Sequence, residues 1–154
     1  MSDLKKEILK KVVDELQGEL SALAKALGDS SAAATDPGSK AEGKYDTRSL
    51  EMSYLAAGQA KQAQALEGGL EKLQRFEVTA FEITDAVALG ALVEVEKDGD
   101  WSWYFLLPDG GGIEVEDDGR LITSLTPESP LFTDLEGKRI GEQTQAGALV
   151  SEVC

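Results

Sequence analysis

The chain has 154 residues, 42% of them hydrophobic and 29% charged, which is enough apolar material for one domain or two small ones. It contains no histidine and a single cysteine, Cys154, so a His-based triad and an intramolecular disulfide are excluded, and a zinc site is disfavoured. No apolar run is long enough to span a membrane, and none forms a secretory signal at the start of the chain. We therefore expect a cytoplasmic protein with no membrane partner.

The net charge of −14 is unevenly distributed along the chain. Residues 77–154 contain four Lys or Arg and seventeen Asp or Glu, a net charge of −13, whereas residues 1–76 are close to neutral at −1. Phosphate backbones would repel so acidic a segment, which disfavours direct binding to duplex nucleic acid. The acidic half either docks on a basic protein surface or serves solubility alone.

The first predicted element is a helix over about residues 3–27, with Gly28 as its C-cap; alternatively, Ala32–Ala34 extend the helix by a turn. Its apolar residues alternate at spacings of four and three, as in a coiled coil. They are Leu9, Val13, Leu16, Leu20, Leu23 and Leu27. The lysines near its start are either a basic patch or a solvated flank paired with neighbouring acids. These lysines are Lys5, Lys6, Lys10 and Lys11.

A second helix is predicted to begin after Asp46 or Thr47 and to run to about Arg75, with the same spacing. Its apolar positions are Met52, Ala56, Gln59, Ala63, Leu66, Leu70 and Leu73. The two runs predict an antiparallel helical hairpin, a coiled coil, over residues 1–75 with a tip loop at 28–47. Gly68-Gly69 weakens this helix, and close packing at that point would explain the pair.

The tip loop contains three acidic residues, Asp36, Glu42 and Asp46. Carboxylates on an exposed loop can complete a magnesium site in a partner, because hard divalent cations prefer oxygen ligands. Solvated turn acids are the commoner explanation of such residues. Asp46 is the one possible metal ligand that we single out.

From Phe76 the hydrophobic period changes from helical to alternating, which predicts strands separated by turns. Lys97–Asp100 is a predicted hairpin turn, and the following strand places Trp101, Trp103 and Phe105 on one face, either for core packing or as a ligand wall. A short helix follows, with Ser129 as N-cap, Pro130 at its first position and Gly137 after its end. A last strand is predicted from 148 to 153. No nucleophile in this half is paired with a base, and the fold class is α+β.

The run from Ser129 to Gly141, Ser-Pro-Leu-(x)3-Leu-Glu-Gly-Lys-Arg-Ile-Gly, is similar to the C-terminal signature of the Gre transcript-cleavage factors. This resemblance implies an FKBP-like antiparallel β domain with a short helix over residues 77–154, after a helical hairpin. It further implies a transcription elongation regulator that binds RNA polymerase through this domain, while the hairpin acts through the secondary channel. The resemblance assigns partner binding to Ser129, Pro130, Leu131 and Phe132.

In cleavage-competent Gre factors two tip acids, spaced Asp-x-x-Glu, hold a metal that cuts backtracked RNA at the polymerase active centre. Here Lys44 and Thr47 lie approximately at those positions, so the resemblance supports binding to RNA polymerase better than it supports RNA cleavage. Asp46, helped by Glu42, would steer Mg²⁺ supplied by the polymerase, and the chain would not itself be an enzyme. The alternatives are a non-catalytic protein-interaction module and, given an apolar pocket lined by aromatics, a prolyl isomerase.

Overall fold

The computed structural model describes the backbone of residues 2–35 and 47–154 and the side chains of residues 3–28 and 57–154. The fold is α+β, as predicted: two long helices precede a five-stranded sheet with one short helix. Within these ranges no helix combines the length and the hydropathy needed to span a membrane. The elements in chain order are α1 (Ser2–Thr35), α2 (Thr47–Arg75), β1 (Leu92–Lys97), β2 (Asp100–Leu106), β3 (Glu114–Asp117), β4 (Arg120–Leu125), α3 (Pro130–Leu135) and β5 (Leu149–Val153).

Helix α1 extends beyond its predicted end at Leu27, in agreement with the alternative in which Ala32–Ala34 extend the helix. It passes through Gly28 and ends at Thr35, so the predicted C-cap at Gly28 is wrong, and residues 28–35 of the predicted tip loop are helical. Nothing lies within 4 Å of the place where a Cβ on Gly28 would be, so packing does not require glycine there. The alanines at 32–34 have the highest helix propensity of any residue and favour continuation of the helix.

The predicted bounds of the second helix are confirmed by α2. Its predicted apolar spacing is confirmed where side chains are described. Of the predicted seam positions from Gln59 onward, Ala63, Leu70 and Leu73 are buried and Gln59 and Leu66 are half-buried, while most residues between them are exposed. Gly69 is buried, and a Cβ placed on it would lie 2.7 Å from Oδ1 of Asp109. Close packing therefore explains Gly69, but not Gly68, which has nothing within 4 Å.

The sheet has the strand order β3-β4-β2-β1-β5 and is mixed rather than wholly antiparallel. Strands β2 and β4 are parallel, with Trp103 opposite Ile122, and the other neighbouring pairs are antiparallel. The predicted turn between β1 and β2 is confirmed: Asp98 and Gly99 both have positive φ, 54° and 84°, as a two-residue type I′ turn requires.

One face of the sheet packs against α3 to form a hydrophobic core. The core includes Val93 and Val95 from β1, Leu106 from β2, and Phe132 and Leu135 from α3. These residues are nearly inaccessible to water, and burying side chains of this size contributes about 1.5–3 kcal/mol each.

The aromatic residues of β2 on the other face differ in burial along the strand. Phe105 is fully buried, Trp103 is half-buried beneath the Arg120 guanidinium at 5.1 Å from the ring, and Trp101 is 62% exposed. Core packing thus accounts for Phe105 but not for Trp101.

The first turns of α1 are attached to both edges of the sheet. Lys5 Nζ donates a hydrogen bond to the backbone oxygen of Cys154, which follows the edge strand β5, at 2.9 Å. Lys11 Nζ forms a 2.8 Å ion pair with Asp117 at the end of the opposite edge strand, β3. Ile8 and Val12 lie on the same stripe of the helix and are completely buried. Lys5 and Lys11 therefore stabilise the fold. They form neither a basic patch nor a solvated flank.

Lys5 is among the largest fully buried side chains of the described residues. Its Nζ also donates to the backbone oxygen of Thr79 at 2.6 Å and lies 4.7 Å from the centroid of the Phe81 ring. Burial lowers the pKa of Lys5 from 10.5 to about 8, an effect that the nearby Cys154 thiol partly opposes. Burial also raises the pKa of Cys154, because a thiolate is costly to form in apolar surroundings.

The chain divides into two compact units, one comprising Met1–Glu15 with Gly69–Cys154 and the other Leu16–Gly68. The start of α1 and the end of α2 thus belong to the unit that contains the sheet. The assignment of residues 1–75 and 77–154 as separate domains stays a prediction.

Candidate interaction surface around helix α3

The segment from Ser129 to Gly141 is the candidate site, and its backbone is fixed at both ends. Ser129 occupies the N-cap position in an extended conformation, although its side chain forms no capping hydrogen bond, and Pro130 begins α3. After the helix, Gly137 has a φ of 85°, which glycine adopts without the steric cost paid by other residues. This conformation ends the helix, as predicted.

Hydrogen bonds fasten the chain after α3 to residues 84–87 and to β5. The Gly137 amide donates to Val87 O, and the Val87 amide donates to Lys138 O, both at 2.8 Å. The Arg139 side chain donates to Thr84 O. Gly141, with a φ of 93°, donates to Val150 O at 2.8 Å. Gly137 and Gly141 therefore both have a left-handed backbone conformation and lie in a loop that backbone hydrogen bonds fix in place.

The four residues assigned to partner binding are placed differently by the structure. Phe132 is only 3% exposed and belongs to the core, so it can position the helix but cannot present its ring to a partner. Leu131 is half-buried and packs against the core, Ser129 is half-buried, and Pro130 is exposed. Their partner-binding role stays a prediction, and Pro130 is the residue among them most open to contact.

Two depressions flank α3. One has a volume of about 220 Å³, and Pro130, Thr133 and Glu136 are among its lining residues. The carboxylate of Asp134, which also lines it, accepts hydrogen bonds from the Gln145 amide at 2.9 Å and from the Ala146 amide. This contact fixes the loop before β5 to the helix.

The second depression, of about 360 Å³, lies between Leu131 of α3 and the β1–β2 hairpin. Tyr104 is its single aromatic residue, and charged residues of the hairpin, Lys97, Asp98 and Asp100, form part of its lining. It therefore lacks the wall of several aromatic residues on which the prolyl isomerase alternative depends.

The acidic residues predicted at the hairpin tip, Asp36, Glu42 and Asp46, lie outside the described residues, as does Lys44. Thr47 is the first residue of α2. Among residues whose side chains are described, no group of three or more Asp, Glu or Cys side chains could hold a metal ion. The metal-steering role of Asp46 stays a prediction.

The sequence matches no protein-family model and no curated protein. Among solved structures, it is similar to GreA factor homolog 1 (Gfh1) of Thermus thermophilus, with 17% identity, coverage of 92% of this chain and 94% of that chain, and a TM-score of 0.37. Gfh1 of Thermus aquaticus has 18% identity over 98% and 94% of the two chains, with a TM-score of 0.35. Another structure, of the transcription factor Gfh1, has 20% identity over 92% of each chain and the same TM-score. Because these TM-scores are below 0.5, we rest no argument on the likenesses.

Proposed function

We propose that this protein is a Gre-like regulator of transcription elongation that binds RNA polymerase through the surface around α3. The observation that carries the proposal is the structure of the signature run. Its glycines, Gly137 and Gly141, occupy left-handed positions, and Leu135 is completely buried. The pattern that resembles the Gre signature thus corresponds to a fixed structural feature that leaves Pro130 exposed.

The two long helices support the second part of the proposal, action through the secondary channel. Helix α2 has 29 residues and is therefore about 44 Å long, and a long helix is what the hairpin of this proposal requires. In the proposed complex the residues between the helices would reach toward the polymerase active centre. A bacterial polymerase as partner would place the protein in the cytoplasm.

A more specific proposal is that the protein, once bound to the polymerase, stimulates transcript cleavage. Asp46, with Glu42, would steer a Mg²⁺ ion supplied by the polymerase, so the chain would assist chemistry at another enzyme's centre. The alternative is a non-catalytic module that occupies the channel without promoting cleavage. The two proposals share the docking surface and differ only at the tip.

Docking is tested by titrating a fluorescently labelled protein with bacterial core RNA polymerase. Pro130→Arg introduces a long charged side chain at an exposed first position of the helix, and Ile83→Arg makes the same charge change at a position that is 72% exposed. We expect binding at micromolar or lower concentrations, weakened at least about tenfold by Pro130→Arg, which corresponds to about 1.4 kcal/mol, and little changed by Ile83→Arg. Absence of binding by the unmodified protein at micromolar concentration would refute the proposal.

Cleavage is tested on stalled elongation complexes with radiolabelled RNA. If Asp46 steers the metal, Asp46→Asn abolishes stimulated cleavage, whereas Asp36→Asn, which makes the same charge change elsewhere in the predicted tip loop, leaves most of it. Unchanged cleavage by Asp46→Asn would contradict the assignment of that residue. Polymerase binding without cleavage by the unmodified protein would identify the non-catalytic module.

A further inference from the structure

A groove separate from α3 lies between the start of α1 and the end of α2 with the chain segment that follows it. It has a volume of about 550 Å³, within the range of specific binding sites. Its apolar residues come from both sides: Leu9 and Val13 from α1, and Leu73, Phe76 and Val78 from the other side. Leu73 is only 1% exposed, and the other four are half-buried, so the groove has an apolar floor that solvent reaches.

The rim of this groove is cationic, although the protein as a whole is strongly acidic. Lys6 and Lys10 lie four residues apart on α1, which places them next to each other on one face of the helix. Both are exposed, and neither forms an ion pair within the part of the chain that the structure describes. Glu77 is the single carboxylate that lines the groove, so its lining residues carry a net charge of +1.

These two lysines differ from their neighbours in the same helix. Lys5 and Lys11 are committed to the sheet, through backbone oxygens and through Asp117 respectively. Lys6 and Lys10 form no such contact with the sheet among the described residues, and they border apolar side chains. An exposed cation beside an apolar floor is complementary to a carboxylate that is flanked by apolar groups.

The shape of the groove favours a protein segment over a small amphiphile. Small-molecule sites bury most of the ligand surface in an enclosed cleft, whereas here four of the lining residues are exposed. Open apolar grooves are typical of sites that take the apolar face of an amphipathic helix. We propose that this groove binds an amphipathic helical segment of a partner protein, whose apolar side chains contact the floor and whose Asp or Glu side chains pair with Lys6 and Lys10.

The probe for this proposal is a synthetic peptide of about four helical turns, with Leu at every third or fourth position and Glu at the flanking positions. The matched control peptide has Lys in place of each Glu. Both are titrated into the full-length ¹⁵N-labelled protein, and amide shifts are followed by NMR. We expect the acidic peptide to shift amides in residues 6–13 and 73–78, and the basic peptide to leave those residues unshifted.

Charge-reversed variants provide the second readout. Lys6→Glu/Lys10→Glu and the control Lys61→Glu/Lys97→Glu each change the net charge from −14 to −18, so general repulsion of an acidic peptide is the same in both. The first pair should raise the Kd at least about tenfold, because two ion pairs become two repulsions, and the control pair less than about twofold. Urea unfolding of each variant verifies that the fold is retained.

The proposal would be overturned if the acidic peptide gave no shifts at millimolar concentration, if the shifts lay outside the groove, or if the two variant pairs weakened binding equally. Shifts produced in the groove by dodecanoate but not by the acidic peptide would identify a small amphiphile as the occupant, and would also overturn it. None of these measurements involves polymerase. A failure here is therefore distinguishable from a failure of the docking proposal.

Discussion

Replacing Lys5 with methionine should change how the stability of this protein depends on pH. The side chain of Lys5 is completely buried, and its Nζ donates to the backbone oxygens of Thr79 and Cys154. No Asp or Glu side chain within the described residues forms an ion pair with it. Desolvation of the ammonium group therefore dominates and lowers the pKa of Lys5 to about 8.

The sign and the size of the effect follow from the two pKa values. In the unfolded chain the lysine titrates at 10.5, so between pH 8 and 10.5 the unfolded state holds a proton that the folded state has released. The free energy of unfolding therefore rises with pH through this window. The shift corresponds to about 3 kcal/mol, of which about 1 kcal/mol should be gained between pH 7 and 9.

Cys154 acts in the opposite direction at the upper end of this range. Its pKa is raised above 9.0 in the folded state, so its contribution to stability is lost as pH rises past that value. The comparison is therefore best made in a Cys154→Ala background.

The assay is urea unfolding followed by circular dichroism from pH 7 to 10. The protein with Lys5 should gain about 2–3 kcal/mol relative to Lys5→Met over this range, while the control Lys6→Met, which changes an exposed lysine, should follow the parent. Parallel pH profiles for the parent and Lys5→Met would refute the conclusion that Lys5 titrates at a lowered pKa because it is buried.

Further predictions concern packing, and urea unfolding tests each. Gly68→Ala should stabilise the protein by about 1 kcal/mol, whereas Gly69→Ala should show little of this gain, because its new Cβ would push the Asp109 carboxylate away from the Gly110 amide. Equal stabilisation by both substitutions would contradict the packing assigned to Gly69. Leu135→Ala should cost about 2–5 kcal/mol, because that side chain is completely buried. Gly137→Ala should cost about 1 kcal/mol through its positive φ; no loss would mean that the loop after α3 can relax.

Local patterns in the sequence were sufficient to predict much of the secondary structure. The 4-3 spacing of apolar residues predicted α2, and Asp98-Gly99 between two alternating segments predicted the β1–β2 turn. The proline at the start of α3 and Gly137 after its end predicted that helix. Each signal acts within a few residues of the feature it determines, which is why sequence alone reveals it.

Long-range contacts explain the features that the sequence did not reveal. The parallel pairing of β2 with β4 depends on how the intervening chain folds back, and strand patterns do not encode it. Lys5 pairs with backbone oxygens that are 74 and 149 positions away along the chain. The one available signal was its position on the same stripe as Ile8 and Val12, where a lysine must find partners or lose its charge.

The candidate site was predictable only as a segment. The resemblance at Ser129–Gly141 identified the run, but burial decides which of its residues face solvent. Phe132 and Leu135 point into the core, whereas Pro130 is exposed. The helical period alone could not give this orientation, since a six-residue helix has fewer than two turns.

Site-specific photo-crosslinking tests the polymerase-docking surface most directly. A benzoylphenylalanine is introduced at position 130, on the proposed surface, or at position 83, which is also exposed but is not part of α3. With bacterial core RNA polymerase, the protein modified at 130 should crosslink to a polymerase subunit, and unlabelled protein in excess should suppress the crosslink. The protein modified at 83 should give little product. Equal crosslinking from both positions, or none from position 130, would contradict the proposal that α3 forms the docking surface.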